Sequence, residues 1–461
     1  MSKLFKTLTT LSLLFIVYLA PVNAQVNIKE LDDKAIAAFS ENVVFGGQLE
    51  REVALDALVR RGQLDVAATL VLALRYSGKV SIAAALSTLA GKKLPTWNKA
   101  MLWQEANPEI VPHKSYRDLK LEVLRRIDPN FMRFLGKERS DQTRMKIRLE
   151  EIAWGGVVVD GIPSLDSPKL ITADEADYMK DDDLIFGVEI NGDARAYPLR
   201  IMGWHEMFNE TIGGVPVALA YCTLCGSGIL FETLVEGRSK PLVFGSSGFL
   251  YRSNKLMFDR ETDSLWNQFT GEPVSGPLVD SGIKLKILPV LITSWEQWKA
   301  KNPKTRILSL TTGYRRNYDS GNVYKEYFAS PDLMFPAIVR DESKLKRKDY
   351  VFGIRDFAVS KAWPISAFKK TRVINDAIGG KNLVLVGNAA TRSVRAYQRQ
   401  GQTFEWSEGT EQLRDGNTLW KISENALTAP DGSTLSRVPG HIAYWFAWDS
   451  YLGTDSELYA N

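Results

Sequence analysis

Short blocks of this chain occur twice in the same order, and that repetition restricts its fold more than any other feature. Phe186-Gly187-Val188 returns as Phe352-Gly353-Ile354, and Ala196-Tyr197-Pro198 returns as Ala362-Trp363-Pro364. Asn209-Glu210-Thr211-Ile212-Gly213-Gly214 returns as Asn375-Asp376-Ala377-Ile378-Gly379-Gly380, and each of these pairs stands 166 positions apart. The apolar run 217–221 falls on 383–387 at the same spacing. Further on, Leu265-Trp266 pairs with Leu419-Trp420, while Pro289, Trp295 and Trp298 pair with Pro439, Trp445 and Trp448. The spacing drops to 154 and then 150, as loop deletions would produce. Two homologous lobes are expected, a first over 151–308 and a second, degenerate one over 349–461. They should pack through their apolar faces, with 309–348 as connector. Turn signals such as Asn191-Gly192, set between short alternating runs, make both lobes β-rich and mostly antiparallel, so the class is α+β.

Residues 25–150 follow another period. Val53, Leu55, Leu58 and Val59, then Leu64, Val66, Leu70 and Leu72, recur at helical spacing with Gly62 between the runs. Stretches 81–90, 97–103 and 116–135 continue the pattern. Stacked helical hairpins are expected, serving as a structural cap or as a docking surface for a protein partner. Ahead of them, Lys3, Lys6, the apolar run 11–20 and Val22-Asn23-Ala24 read as a signal peptide over 1–24. The run is too short to span a bilayer. The mature chain is therefore expected in the periplasm or secreted, without a membrane span. A formal charge of +4 without a basic block argues against nucleic-acid binding.

Only two cysteines and three histidines are present, which excludes a disulfide scaffold or a multi-cysteine cluster. Copy one carries Tyr221-Cys222-Thr223-Leu224-Cys225-Gly226-Ser227, where copy two has Gly387-Asn388-Ala389-Ala390-Thr391-Arg392-Ser393. His205 falls on Thr371. The two thiols and His205 are thus present together in one lobe, and all three positions are filled otherwise in the other, as expected of a site kept in one copy. The two-residue spacer lets both sulfurs face one ion, and Gly226 permits the turn that such a knuckle needs. His205 is the natural third ligand, and Met257 or Asp259 the fourth. Thiolates with imidazole and thioether favour copper, and a carboxylate in place of Met257 would favour zinc. With metal bound, the sulfur–nitrogen separations should be about 3.3–4 Å. The leading expectation is an exported metal-binding protein for metal handling or electron transfer. A thiol–disulfide oxidoreductase is the alternative, although the turn-then-strand sequence after Cys225 lacks the helix start of thioredoxin-type exchangers. A metal-free interaction module with a structural disulfide is the third reading. His113 and His441 read as structural, and the polar run 252–264 reads either as a pocket lining or as a solvated hairpin.

Residues 160–458 resemble domain-of-unknown-function family 3179. The resemblance is carried by Asp160-Gly161-Ile162-Pro163, Phe186-Gly187-Val188, Ala196-Tyr197-Pro198-Leu199, the Asn209 block, the Tyr-Cys-x-Leu-Cys-Gly-Ser block at 221–227, and Trp445-Phe446-Ala447-Trp448. It implies an exported protein with a His and a Cys pair, and implies no settled activity. Thr223 stands where members of the family usually have Pro.

Overall fold

The computed structural model describes residues 31–135, 145–338, 342–356 and 359–460. The expected signal peptide lies outside these residues. Helices Asp33–Phe45, Gln48–Arg61, Ala67–Ser77, Val80–Ala90, Trp97–Ala106 and Tyr116–Ile127 form the N-terminal region. Their apolar stripes close on buried Leu55, Leu58, Val66, Leu70, Ile82 and Leu86. Val53, counted in the same periodic run, is 54% exposed, because its position lies off the face shared by 51, 54, 55 and 58. The short pieces Pro129–Phe131 and Met132–Leu135 then set Phe131 and Phe134 against Phe249 and Phe258 of the first lobe. The Phe131 and Phe249 rings lie 4.4 Å apart. The helices thereby cover a sheet of that lobe. Among the described residues no helix is long and apolar enough to cross a membrane.

The repeated blocks fold alike. In the first lobe, Leu291–Ser294, Leu184–Ile190, Asp193–Pro198 and Arg306–Leu308 lie side by side; in the second, His441–Tyr444, Tyr350–Asp356, Val359–Pro364 and Ser456–Leu458 do so in the same order. The fourth strand is added parallel in both. Phe186 faces Tyr197 and Ile292, as Phe352 faces Trp363 and Ile442. A second sheet repeats as well: Met207–Ile212, Val215–Cys222, Ser227–Glu232 and Lys286–Leu288 answer to Val373–Ile378, Lys381–Asn388, Ser393–Gln398 and Thr434–Val438.

Side chains repeat with the strands. Asn209 accepts from the Phe244 N–H at 2.8 Å and donates to the Phe244 carbonyl at 2.9 Å. Asn375 clamps Phe404 in the same way, at 2.9 and 2.8 Å. Phe244 meets Trp266 edge-on at 5.4 Å and 90°, and Phe404 meets Trp420 at 5.7 Å and 89°. The copies part beyond this point. In the second lobe the sheet runs on through Ala426–Thr428, Thr418–Ile422, Gln412–Asp415 and Glu405–Ser407 to eight strands. In the first, the four matching strands, Phe244–Tyr251, Asn254–Asp259, Leu265–Asn267 and Glu272–Ser275, join Ile152–Trp154 in a separate five-stranded sheet beneath the helices.

The lobes share one core. Phe186, Tyr221 and Leu230 of the first pack with Phe352, Ile354, Trp363 and Val394 of the second. Asn191 and Gly192 take the positive φ values, 51° and 81°, that a tight hairpin turn requires. The helix after Pro198 is short. It spans Leu199–His205, Glu206 ends it at φ 54°, and Met207–Ile212 is already a strand. Pairing with Val215–Cys222 along its whole length decides the matter, since six residues find ladder partners there.

Candidate functional site: a sealed dithiol turn

Strands Val215–Cys222 and Ser227–Glu232 are joined by a turn closed by Cys225 N–H to Cys222 O and Gly226 N–H to Thr223 O, both 3.2 Å. Gly226 takes φ 58°. The turn aims both sulfurs inward: Cys222 is 2% exposed and Cys225 fully buried, with the sulfurs 2.7 Å apart. Cys225 donates to the Ser253 carbonyl at 3.2 Å and receives an N–H from Asn254 at 3.3 Å. Asn254 also donates to Gln268, whose amide holds the carbonyls of Ala220 and Ser227, so one network ties both arms of the turn. Burial pushes the Cys225 thiol well above its ordinary range; the hydrogen bond with Cys222 acts the same way and Asn254 opposes it.

Beneath the turn lies a buried ion pair that the sequence reading missed. Glu206 accepts from Lys255 at 3.0 Å and from the Thr223 hydroxyl at 2.6 Å. Thr223 thus does what a proline there cannot. A trace of this was legible: Glu206 falls on Arg372 in copy two, so it differs between the copies together with the cysteines.

Three elements seal the site. Tyr327, on the short helix Lys325–Ala329 of the connector, donates to the Leu224 carbonyl at 2.7 Å, and Ser253 donates to Pro336 O at 2.6 Å. From the second lobe, Tyr444 N–H donates to Cys225 O at 2.8 Å. The rings of Tyr350 and Tyr444 lie over Gly226, where a Cβ would stand 3.0 and 3.1 Å from them. The matching turn of copy two reaches the same tyrosines: Arg392, at the position of Gly226, takes φ 56° and donates to Tyr350 OH at 2.7 Å.

The other expected ligands are engaged elsewhere. His205 is fully buried, with Nδ1 2.9 Å from Pro163 O and Nε2 2.6 Å from Tyr318 OH. A carbonyl can only accept, so Nδ1 carries the proton and Nε2 accepts from Tyr318. Burial pushes this imidazole below its ordinary range and keeps it neutral. No sulfur is among its partners. Met257 is fully buried among Phe244, Trp266 and Leu285. It pairs with Trp266 as Leu413 pairs with Trp420 in the other lobe, so the position is apolar in both copies. Met257→Leu is expected to cost less than about 1.5 kcal/mol in urea unfolding, as a near-isosteric core exchange. A much larger loss, or loss of bound copper, would return Met257 to the site. Asp259 accepts from Trp266 Nε1 at 2.9 Å and from Thr262 N at 2.7 Å, and so holds its own turn. Within the polar run 252–264, only Ser253 and Asn254 reach a sulfur. Among the described residues no group of three or more His, Cys, Asp or Glu side chains is gathered as metal ligands would be.

Together these features define a class: a two-lobed α+β protein, built by duplication, with a dithiol turn in one lobe and an arginine turn at the equivalent place in the other. The chain belongs to the family described as protein of unknown function DUF3179, which it matches over residues 159–455, both lobes included. No curated protein and no solved structure matches it.

Proposed function

We propose that the chain is a thiol–disulfide redox protein whose working pair is Cys222 and Cys225. The observation that carries this reading is the 2.7 Å approach of the two sulfurs while both nitrogens of His205 are bonded to Pro163 and Tyr318. Two thiolates sharing one tetrahedral ion would stand about 3.8 Å apart, so metal binding asks the turn to open and His205 Nε2 to give up its hydrogen bond with Tyr318. Closing a disulfide asks for a further approach of the sulfurs and for a partner disulfide that takes up their two protons and two electrons.

The partner chemistry is a small disulfide. The Cys222 thiolate attacks one of its sulfurs and expels the first thiolate; Cys225 then displaces the second and closes the Cys222–Cys225 bond. Two protons and two electrons pass from the pair to the two released thiols. Cys222 is the attacking group because Cys225 is fully buried and its thiol is held protonated. Export under the N-terminal signal would place the pair in an oxidising compartment.

Purified under air, the chain is expected to resist alkylation at both cysteines after denaturation and to accept two alkyl groups once reduced. Native protein should exchange with a glutathione redox buffer, and Cys222→Ser should abolish that exchange. One copper or zinc ion per chain with two open thiols, measured by elemental analysis, would overturn the reading in favour of a metal site. The burial of both sulfurs favours a second reading, a permanent disulfide stapling the turn. A pair that closes yet never exchanges in native protein would establish it.

A further inference from the structure

The connector and the two lobes enclose a cleft of about 830 Å³ beside the dithiol turn, lined among others by Tyr221, Lys348, Tyr350, Arg392 and Tyr444. Its charge is unbalanced at one end. Arg200 there is paired with Asp183 at 3.0 Å, but neither Arg392 nor Lys348 has a carboxylate within ion-pair distance among the described residues. Arg392 is steered rather than neutralised. Its guanidinium lies 4.3 Å from the centre of the Tyr350 ring and donates to Tyr350 OH, which in turn donates to Tyr444 OH at 3.0 Å. These contacts use one edge of the fork and leave the other N–H groups for a ligand. Lys348 is held by the carbonyls of Tyr327 and Ser330, at 2.6 and 2.8 Å, leaving its third N–H. The Tyr221 ring is buried, yet its hydroxyl bonds to no described residue and opens on the cleft. Burial keeps that phenol protonated, as a donor.

Backbone strain marks the same spot. At φ 56° an arginine occupies a left-handed position where the other lobe has Gly226. The fold therefore carries a strained residue where glycine would be easier, as sites that need a particular side chain do.

We propose that this cleft binds a small organic oxyanion, a carboxylate or a phosphate ester, gripped by Arg392, Lys348 and the Tyr221 hydroxyl. The proposal does not rest on the thiol reading. The full-length mature chain would be titrated calorimetrically with citrate, malonate, glycerol 3-phosphate and inorganic phosphate, with glycerol as uncharged control. At least one anion is expected to bind tighter than about 10 mM, and glycerol is not. Arg392→Gly and Lys348→Met should each weaken that anion at least about fivefold. Binding by the carboxylates alone, or by the phosphates alone, names the oxyanion. Unliganded Arg392→Gly should melt no lower than the parent, since glycine takes this φ without strain; this keeps a loss of binding from being read as a loss of fold. The proposal is overturned if no anion in the panel binds, or if Arg392→Gly weakens binding by less than that factor. Neither result touches the thiol reading, which stands or falls on Cys222 exchange.

Discussion

Gly353→Ala is expected to destabilise the protein by about 3 kcal/mol or more, at the upper end of what overpacking costs. A Cβ at this position would stand 1.9 and 2.2 Å from two ring carbons of Trp448, far inside contact distance. The ring cannot swing away. Trp448 is fully buried, and its indole N–H is tied to Ser456 at 2.7 Å, on the strand that closes the sheet. Backbone movement is blocked too, because Gly353 is paired on both sides, with Ala362 and His441. The duplication supplies an internal replicate: Gly187 approaches Trp298 the same way, with ring carbons 2.4 Å from a Cβ, and Trp298 is tied to Thr305 at 2.9 Å. Gly187→Ala should therefore behave alike. Gly401→Ala, with nothing within 4 Å of its Cβ, should shift stability by less than about 0.5 kcal/mol. Urea midpoints of the three variants decide the point. An unchanged midpoint for Gly353→Ala would mean that strand and tryptophan do not pack as described.

Glu424→Gln is expected to cost about 3–5 kcal/mol near neutral pH, the usual loss when one member of a buried charge cluster is removed. Glu424 sits between Arg395, which donates from Nε at 2.8 Å and from Nη2 at 2.5 Å, and Arg437, which donates at 2.6 Å. All three are buried. Burial by itself pushes the carboxyl up, but attraction to Arg395 and then Arg437 outweighs it and holds the group down at about 2. The sign of the pH dependence follows. The folded value lies below the unfolded one of 4.5, so the stability this group contributes is complete above about 4.5 and drains away as pH falls toward 2. Glu424→Gln should lose that acid-dependent term. The gap between parent and variant, wide at pH 7, should narrow steadily across that window. A gap independent of pH would show that the arginines do not hold the carboxylate in its charged form.

The duplication was readable because its blocks are local signals. Gly353 marks a close approach, Asn375 a clamp on a neighbouring strand, and Asn191-Gly192 a hairpin turn; each leaves its residue type wherever the geometry recurs. Offsets of 166, 154 and 150 therefore located matching strands before any partner was known. The cysteine turn was readable for the same reason. Its surroundings were not. Asn254, Lys255 and Gln268 lie 29 or more positions beyond the residues they serve, in no recognisable motif, and Glu206 was overshadowed by His205 beside it. Only His205 was expected beside the turn, and the two neighbours face different partners. The helix ends at Glu206, whose carboxylate meets Lys255 and Thr223, while His205 is bonded to Pro163 and Tyr318. Met257 shows the matching limit: that it pairs with Trp266 as Leu413 pairs with Trp420 became visible only in the strand register.

The amino-acid sequence by itself determined the α+β class, the helical region ahead of two related lobes, the strands within them and the turn that brings Cys222 to Cys225. All of these depend on periodicity, turn residues and contacts a few positions apart, where the covalent chain limits the outcomes. Tertiary structure alone decided that the turn is sealed by the connector and the second lobe, that Glu206 rather than His205 underlies it, and that Arg392 converges on the same tyrosines. Those facts depend on how two folded lobes meet. The meeting is governed by burial of shared apolar surface, which is non-directional and leaves no local spacing to read.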